Sequence, residues 1–182
     1  ISGNQYTCPS FNGSDDYTIA SGYTVIINSG FTPQWAQIFT MSGTAALTAK
    51  GNISFNSINP SNLKVTGGTI IADGGSFVAG SGNGTVLGAD ITATSVTLGG
   101  TAIKATGNIT ATGIVDISAG SSVSGTINGG TVTLGSNVTA MKDITATGKL
   151  TINSGVSISG ALKGNEVIVG PDVKNITSIT AN

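Results

Sequence analysis

The chain has no histidine, no arginine and one cysteine, and only 8% of its 182 residues are charged. Without His, the usual general base and metal ligand near neutral pH is missing. Cys8 stands alone, so no internal disulfide can form and no Cys-rich metal cluster is available. The lack of Arg removes the bidentate phosphate contact, and a net charge of -1 supplies no electrostatic footprint for nucleic acid or an anionic membrane surface. No apolar run approaches the roughly 20 residues that span a bilayer, so no transmembrane segment is expected. The chain begins at Ile1 without Met or an apolar leader, as expected of a processed mature protein or an excised fragment. Aromatic residues are also scarce and unevenly placed: all nine lie between Tyr6 and Phe77.

What the chain does contain is 28 Gly, 26 Thr, 21 Ser and 15 Asn. A surface of such residues predicts a secreted or cell-surface repeat protein. The stretch VTLGSNVTAMKDITATGKLTINSGVSISGAL, residues 132 to 162, places Val132, Val138, Ile144, Leu150, Val156 and Leu162 six residues apart. The series resumes one residue early at Val167, then Val173 and Ile179. Every third member forms a column, Ile91, Ile109, Ile127, Ile144, Leu162 and Ile179, and a second column runs Val96, Val115, Val132, Leu150 and Val167.

A repeat near 18 divided into three hexads predicts short strands with alternate side chains pointing inward, and Gly, Asn or Ser turning each corner. Three sides close one coil and the next stacks upon it, giving an all-β, single-domain, three-sided parallel β-solenoid. A helix does not fit, because the spacing departs from 3.6, β-branched residues are abundant and each recurrent Gly would cost about 1 kcal/mol. An antiparallel sandwich suits the short strands and turns but does not call for columns of constant period. From Thr18 onward there is room for about nine coils, a rod of about 40 Å at roughly 4.8 Å per coil.

The expected organisation is an N-terminal arm over 1–16, first coils over 17–60 and a regular solenoid over 61–182, with irregular spacing between 40 and 90. In TPQWAQIFTM, Thr32 as a cap and Pro33 as a first helical residue predict a short helical insertion near 32–41. Trp35, Ile38 and Phe39 would share its face and plug one end of the domain.

Little in the sequence points to chemistry, and neither catalytic residues, cofactor nor metal is expected. Asp90 and Asp143 each precede a core Ile at a corner, and Asp116 faces out between Val115 and Ile117. Asp15 and Asp16 lack a calcium-loop pattern and read as turn residues. The glycines of GGTIIADGGSFVAGSGNG lack the Lys-Ser/Thr of a phosphate loop. Outward Thr residues are more suggestive: ITAT recurs at 91, 109 and 144, aligning Thr92, Thr110 and Thr145 beside Thr94, Thr112 and Thr147. Such paired columns are how solenoid ice-binding proteins present themselves, although INGG and LKGN interrupt them here. A solvated face using Thr for its strand preference is the plainer reading. Six Asn-x-Ser/Thr sequons, at Asn12, Asn52, Asn83, Asn108, Asn137 and Asn175, are glycosylation candidates, where composition alone gives about four.

The hexads VTLGSN, VIVGPD and ADITAT resemble the hexapeptide repeat of left-handed β-helix proteins, over roughly residues 85 to 182. Many of those are acyltransferases with a catalytic His; this chain has none, so that activity does not carry over. The repeats also resemble bactofilins, three-sided solenoids of short V-x-I strands that join end to end without nucleotide. That resemblance implies self-assembly, while the Thr- and Asn-rich surface favours an exported filament or adhesin.

The C-terminal hexads run through VKNITSITAN with a single Lys and no capping helix, which predicts an edge ready to pair. Head-to-tail stacking of copies does not close and yields a filament. The expected interface comprises Tyr6, Phe11 and Tyr17 from the arm and Val173, Ile176 and Ile179 from the last coil. The expected function is therefore a non-enzymatic structural protein, a self-assembling extracellular filament. The alternative is the solenoid domain of a surface adhesin or ice-binding protein, with surface polysaccharide among its candidate partners.

Overall fold

The computed structural model describes residues 4–9, 15–80 and 84–182, and these form a parallel β-solenoid. Every strand pairing is parallel, and each strand pairs with its counterpart in the next coil. Three strand columns run along the rod. The first face begins at Gln5–Cys8 and Thr24–Ile27 and ends at Ala161–Gly164 and Ser178–Ala181, ten strands in all. The second runs from Ile53–Ser54 to Glu166–Val169, and the third from Tyr17–Ile19 to Ser157–Ile158. Thr69–Ala79 and Asp90–Leu98 are long enough to turn a corner and serve the first and second faces together, with a register shift between Ala93 and Ser95.

Burial alternates as the strand period requires. Asp90–Leu98 buries Ile91, Ala93, Val96 and Leu98, and Thr131–Leu134 buries Val132 and Leu134. Both expected columns exist as paired residues: Ile91 through Ile109, Ile127, Ile144 and Leu162 to Ile179, and Val96 through Val115, Val132 and Leu150 to Val167. Each buried Val or Ile contributes about 1.5–3 kcal/mol of transfer free energy.

The coils are not all of one girth. On the first face Val25 pairs with Leu47, Leu47 with Ile70 and Ile70 with Ile91, so these coils take 22, 23 and 21 residues against 18 for Ile91 to Ile109. The reason lies inside. Phe31, Phe39, Phe55 and Phe77 are all buried, with Phe39 to Phe55 ring centroids 5.3 Å apart and Phe55 to Phe77 5.7 Å. Rings of this size need a wider cross-section than the Val, Ile, Leu and Ala of the later coils, and extra corner residues supply it. Ile58, in the corner after Ile53–Ser54, is buried as well.

The corners are hydrogen-bonded from coil to coil. Asp90 Oδ1 accepts from the Asn108 backbone N–H at 2.7 Å and from Asn108 Nδ2 at 3.1 Å. Asp143 Oδ1 accepts from the Ala161 N–H at 2.8 Å, and Asn52 Oδ1 from the Ser76 N–H at 2.9 Å. A second corner carries one left-handed residue per coil, at Ala102, Gly120, Asn137, Gly155 and Asp172. Where stacked backbones pass closest, only Gly fits: a Cβ on Gly125 would sit on the carbonyl oxygen of Gly107.

Two expectations need correction. No helix forms near 32–41; the only helical turn among the described residues is the 3-10 turn Pro60–Asn62. Instead, Phe39–Met41 is a strand of the third face, paired with Tyr17–Ile19 and Leu63–Val65, because burying Phe39 and Met41 outweighs a local Thr-Pro start. The residues before it form a corner pinned by Gln37, whose Oε1 accepts the Gln34 N–H at 2.6 Å while its Nε2 donates to the Asp15 carbonyl at 3.0 Å. Trp35 is exposed and plugs nothing. The arm expected over 1–16 is also partly absorbed, since Gln5–Cys8 pairs with Thr24–Ile27 of its own chain and Tyr6 packs on Tyr23 at 5.9 Å.

Candidate functional site

A solenoid buries its interior columns only where a further coil lies above and below. At the C-terminal end Ser178–Ala181 pairs with Ala161–Gly164 and, among the described residues, with nothing on its other side. The consequence is visible within one column: Leu162 is fully buried, whereas its partner Ile179 is 51% exposed. Val169 repeats this on the second face, paired with buried Ile152 yet exposed itself. Val173 and Ile176 are partly buried against the core.

The N-terminal end mirrors this arrangement. Among the described residues Gln5–Cys8 pairs only with Thr24–Ile27. Tyr6 and Cys8 hold the inward register of Val25 and Ile27, and Tyr17 that of Phe39. Around them opens an apolar cavity of about 500 Å³, lined among others by Tyr6, Cys8, Tyr17, Ile19, Phe31 and Phe39. The expected interface residues therefore fall on two opposite ends of one rod, Tyr6 and Tyr17 at one and Val173, Ile176 and Ile179 at the other. Phe11 lies outside the described residues. Cys8, Val25 and Val169 line these outermost strands as well and were missed; the alternating strands TVII and EVIV were the available signal for Val25 and Val169, whereas Cys8 carried none.

No family model, curated protein or solved structure matches this chain. The ends and faces are thus read from their own chemistry.

Strand pairing traces the first of the two Thr columns, with interruptions. Thr92 pairs with Thr110, Thr110 with Asn128, Asn128 with Thr145, Thr145 with Lys163 and Lys163 with Thr180. Thr92, Thr94, Thr110, Thr112 and Thr147 are exposed, and Thr145 is half-buried. Asn128 and Lys163 interrupt the array. Towards the N-terminus the same column continues through Ile71, Thr48 and Ile26.

Sequon residues differ in their surroundings. Asn137 and Asn175 are exposed in left-handed turns, with Asn175 Nδ2 donating to Ser157 Oγ at 3.0 Å. Asn52 and Asn108 are engaged in corner bonds, Asn108 with its Nδ2 donated to Asp90. Asn12 and Asn83 lie outside the described residues.

The acids are held by local structure. Asp16 Oδ1 accepts the Ile38 N–H at 2.8 Å, Asp73 pairs with Lys50, and Glu166 with Lys149 at 3.2 Å. Asp116 is exposed between buried Val115 and Ile117. Among the described residues no group of three His, Cys, Asp or Glu is placed to hold a metal, and no helix is long and apolar enough to cross a membrane.

Proposed function

We propose that this protein is a non-enzymatic structural subunit that assembles head to tail into an extracellular or cell-surface filament. The observation carrying the reading is the stack itself, in which every strand pairing is parallel and the inward columns keep register from coil to coil over ten strands of the first face. An open strand edge is a row of unpaired N–H and C=O groups, and an exposed apolar column end is unfavourable in water. Another copy in the same orientation offers both the parallel strand and the apolar residues that satisfy them. The contact is heterologous, so it propagates rather than closes. The composition, poor in charge and rich in Thr, Ser and Asn, supports the exported setting.

The exposed Thr92 and Thr110 pair favours a second reading, in which the first face binds a surface polysaccharide or ice as part of an adhesin. The two readings separate under negative-stain electron microscopy of the purified chain at micromolar concentration. Assembly produces thin unbranched fibres whose subunit repeat is about 48 Å, ten strands at about 4.8 Å each. Uniform monomers would defeat the filament and leave the Thr face as the functional surface.

A further inference from the structure

Resting on the second reading, in which the first face binds a polysaccharide, we infer that binding centres on a notch where Asp73 and Gly74 stand over Thr92, Thr94 and Thr112, and that the notch takes one sugar ring of a neutral polysaccharide. The notch follows from unequal corners. Between the first and second faces the chain takes five residues from Ala72 to Phe77 but three from Ala93 to Val96 in the next coil, with the strands paired on both sides of the mismatch. Asp73, Gly74 and Gly75 thus face a single residue, Thr94. The surplus is held from one side only. Gly75 packs so closely on the Gly51 backbone that a Cβ would clash, Asn52 Oδ1 accepts the Ser76 N–H at 2.9 Å and the Ser76 hydroxyl at 3.1 Å, and Lys50 pairs with Asp73 Oδ2. On the side of the following coil Gly74, at φ 73°, would place a Cβ within 4 Å of nothing.

The space left is a depression of about 180 Å³ lined among others by Ile71, Asp73, Gly74, Thr92, Thr94 and Thr112. At ~30 Å³ per water that is about six waters, or one sugar ring. It spans the fourth to sixth of the ten strands on the first face, well inside the rod. Its chemistry selects the guest. Thr92, Thr94 and Thr112 are exposed, and each hydroxyl can both donate and accept. Asp73 gives Oδ2 to Lys50, which leaves Oδ1 as an acceptor. Ile71 and the threonine methyl groups supply apolar contact between these polar groups, the mixture that a sugar ring presents in return with its hydroxyls and C–H edges. A uronic acid would set a second carboxylate against Asp73 while Lys50 is already engaged, so the guest is neutral. Because the wall is anchored to the preceding coil, little ordering is needed on binding. Further along the face Asn128 breaks the threonine column and no comparable surplus of corner residues overhangs it.

The notch is tested with the full chain on an array of short neutral hexose oligomers and short uronic-acid oligomers, each hit then being titrated by fluorescence anisotropy of the labelled oligomer. The expected result is saturable binding of a neutral oligomer. Asp73→Ala and Thr94→Val each weaken it by about tenfold, as the loss of one or two hydrogen bonds to the ring requires, while Ser122→Ala, outward on the third face, leaves it unchanged. All four side chains except Ser122 are exposed or line the depression, and circular dichroism of each variant reports that the solenoid is intact. Neutral binding that both Asp73→Ala and Thr94→Val leave within about twofold would overturn the notch while a polysaccharide partner stands. An effect of Thr94→Val without one of Asp73→Ala would assign binding to the flat threonine columns and overturn the notch likewise. Binding of uronic-acid oligomers alone would overturn the neutral guest, and an array with no hit would overturn the notch together with the polysaccharide reading.

Discussion

Asn108 Oδ1 accepts both the backbone N–H and the hydroxyl of Thr126, each at 3.0 Å, from one coil to the next. In the opposite direction Asn108 donates two hydrogen bonds to Asp90 Oδ1. One side chain thus bridges three successive corners on the edge of the first face. The role is that of an N-cap, in which a short polar side chain satisfies a backbone donor that the strand ladder leaves over.

Replacing Asn108 with Ala removes the acceptor for Thr126, and the expected loss is about 1–2 kcal/mol of unfolding free energy. Asn108→Asp keeps the acceptor but sets a second carboxylate beside Asp90, so its loss should shrink as salt is added. Urea titrations at low and high salt measure both. A stability unchanged in Asn108→Ala would show that water replaces the corner bonds without cost.

Ser121 offers the opposite case. Its side chain is buried and its hydroxyl finds no hydrogen-bond partner among the described residues. It stands in an inward column between Ile103 and Val138, since Lys104, Ser122 and Thr139 pair directly. Ser121→Val removes an unsatisfied polar atom and adds apolar contact, so stability should rise by about 1–2 kcal/mol. Thermal and denaturant unfolding would both report it, and a lowered midpoint would mean that the column has no room for a second methyl group.

Ala102 occupies the left-handed region at φ 57°, alone among the corner residues Gly120, Asn137, Gly155 and Asp172 in being neither Gly nor a short polar residue. A Cβ in that region costs about 1–2 kcal/mol, part of which Gly returns through the entropy of the unfolded chain. Ala102→Gly should therefore stabilise by about 0.5–1 kcal/mol, measured as an increased denaturant midpoint at unchanged slope. Destabilisation would show that the methyl group packs usefully.

The C-terminal half was legible because its interior is uniform. Val, Ile and Leu at inward positions have similar size, so the coils keep one girth and the period shows directly in the sequence. The N-terminal half obscured its period because Phe31, Phe39, Phe55 and Phe77 widen the coils and add corner residues at irregular places. The same rings explain the misplaced helix: Thr32 and Pro33 carry a local helix signal, but Phe39 gains more by joining the buried cluster than a single helical turn would provide. The outermost described strands were legible only in part. Ile179 and Val173 stood in the repeat, whereas Cys8 has no hexad around it and its column emerges only from pairing with Ile27.

The difference in girth along the rod also bears on how such a molecule can change its length. In the narrow half, excising residues 127 to 143 would join Thr126 to Ile144 and bring the Ile144 coil down onto Ile109, with the aliphatic columns still aligned. In the wide half each ring reaches into neighbouring coils, as Phe55 does to Phe39 and Phe77, so no single coil can be lifted out alone. The narrow half is thus modular, able to grow or shorten in whole steps, while the aromatic half is an indivisible base.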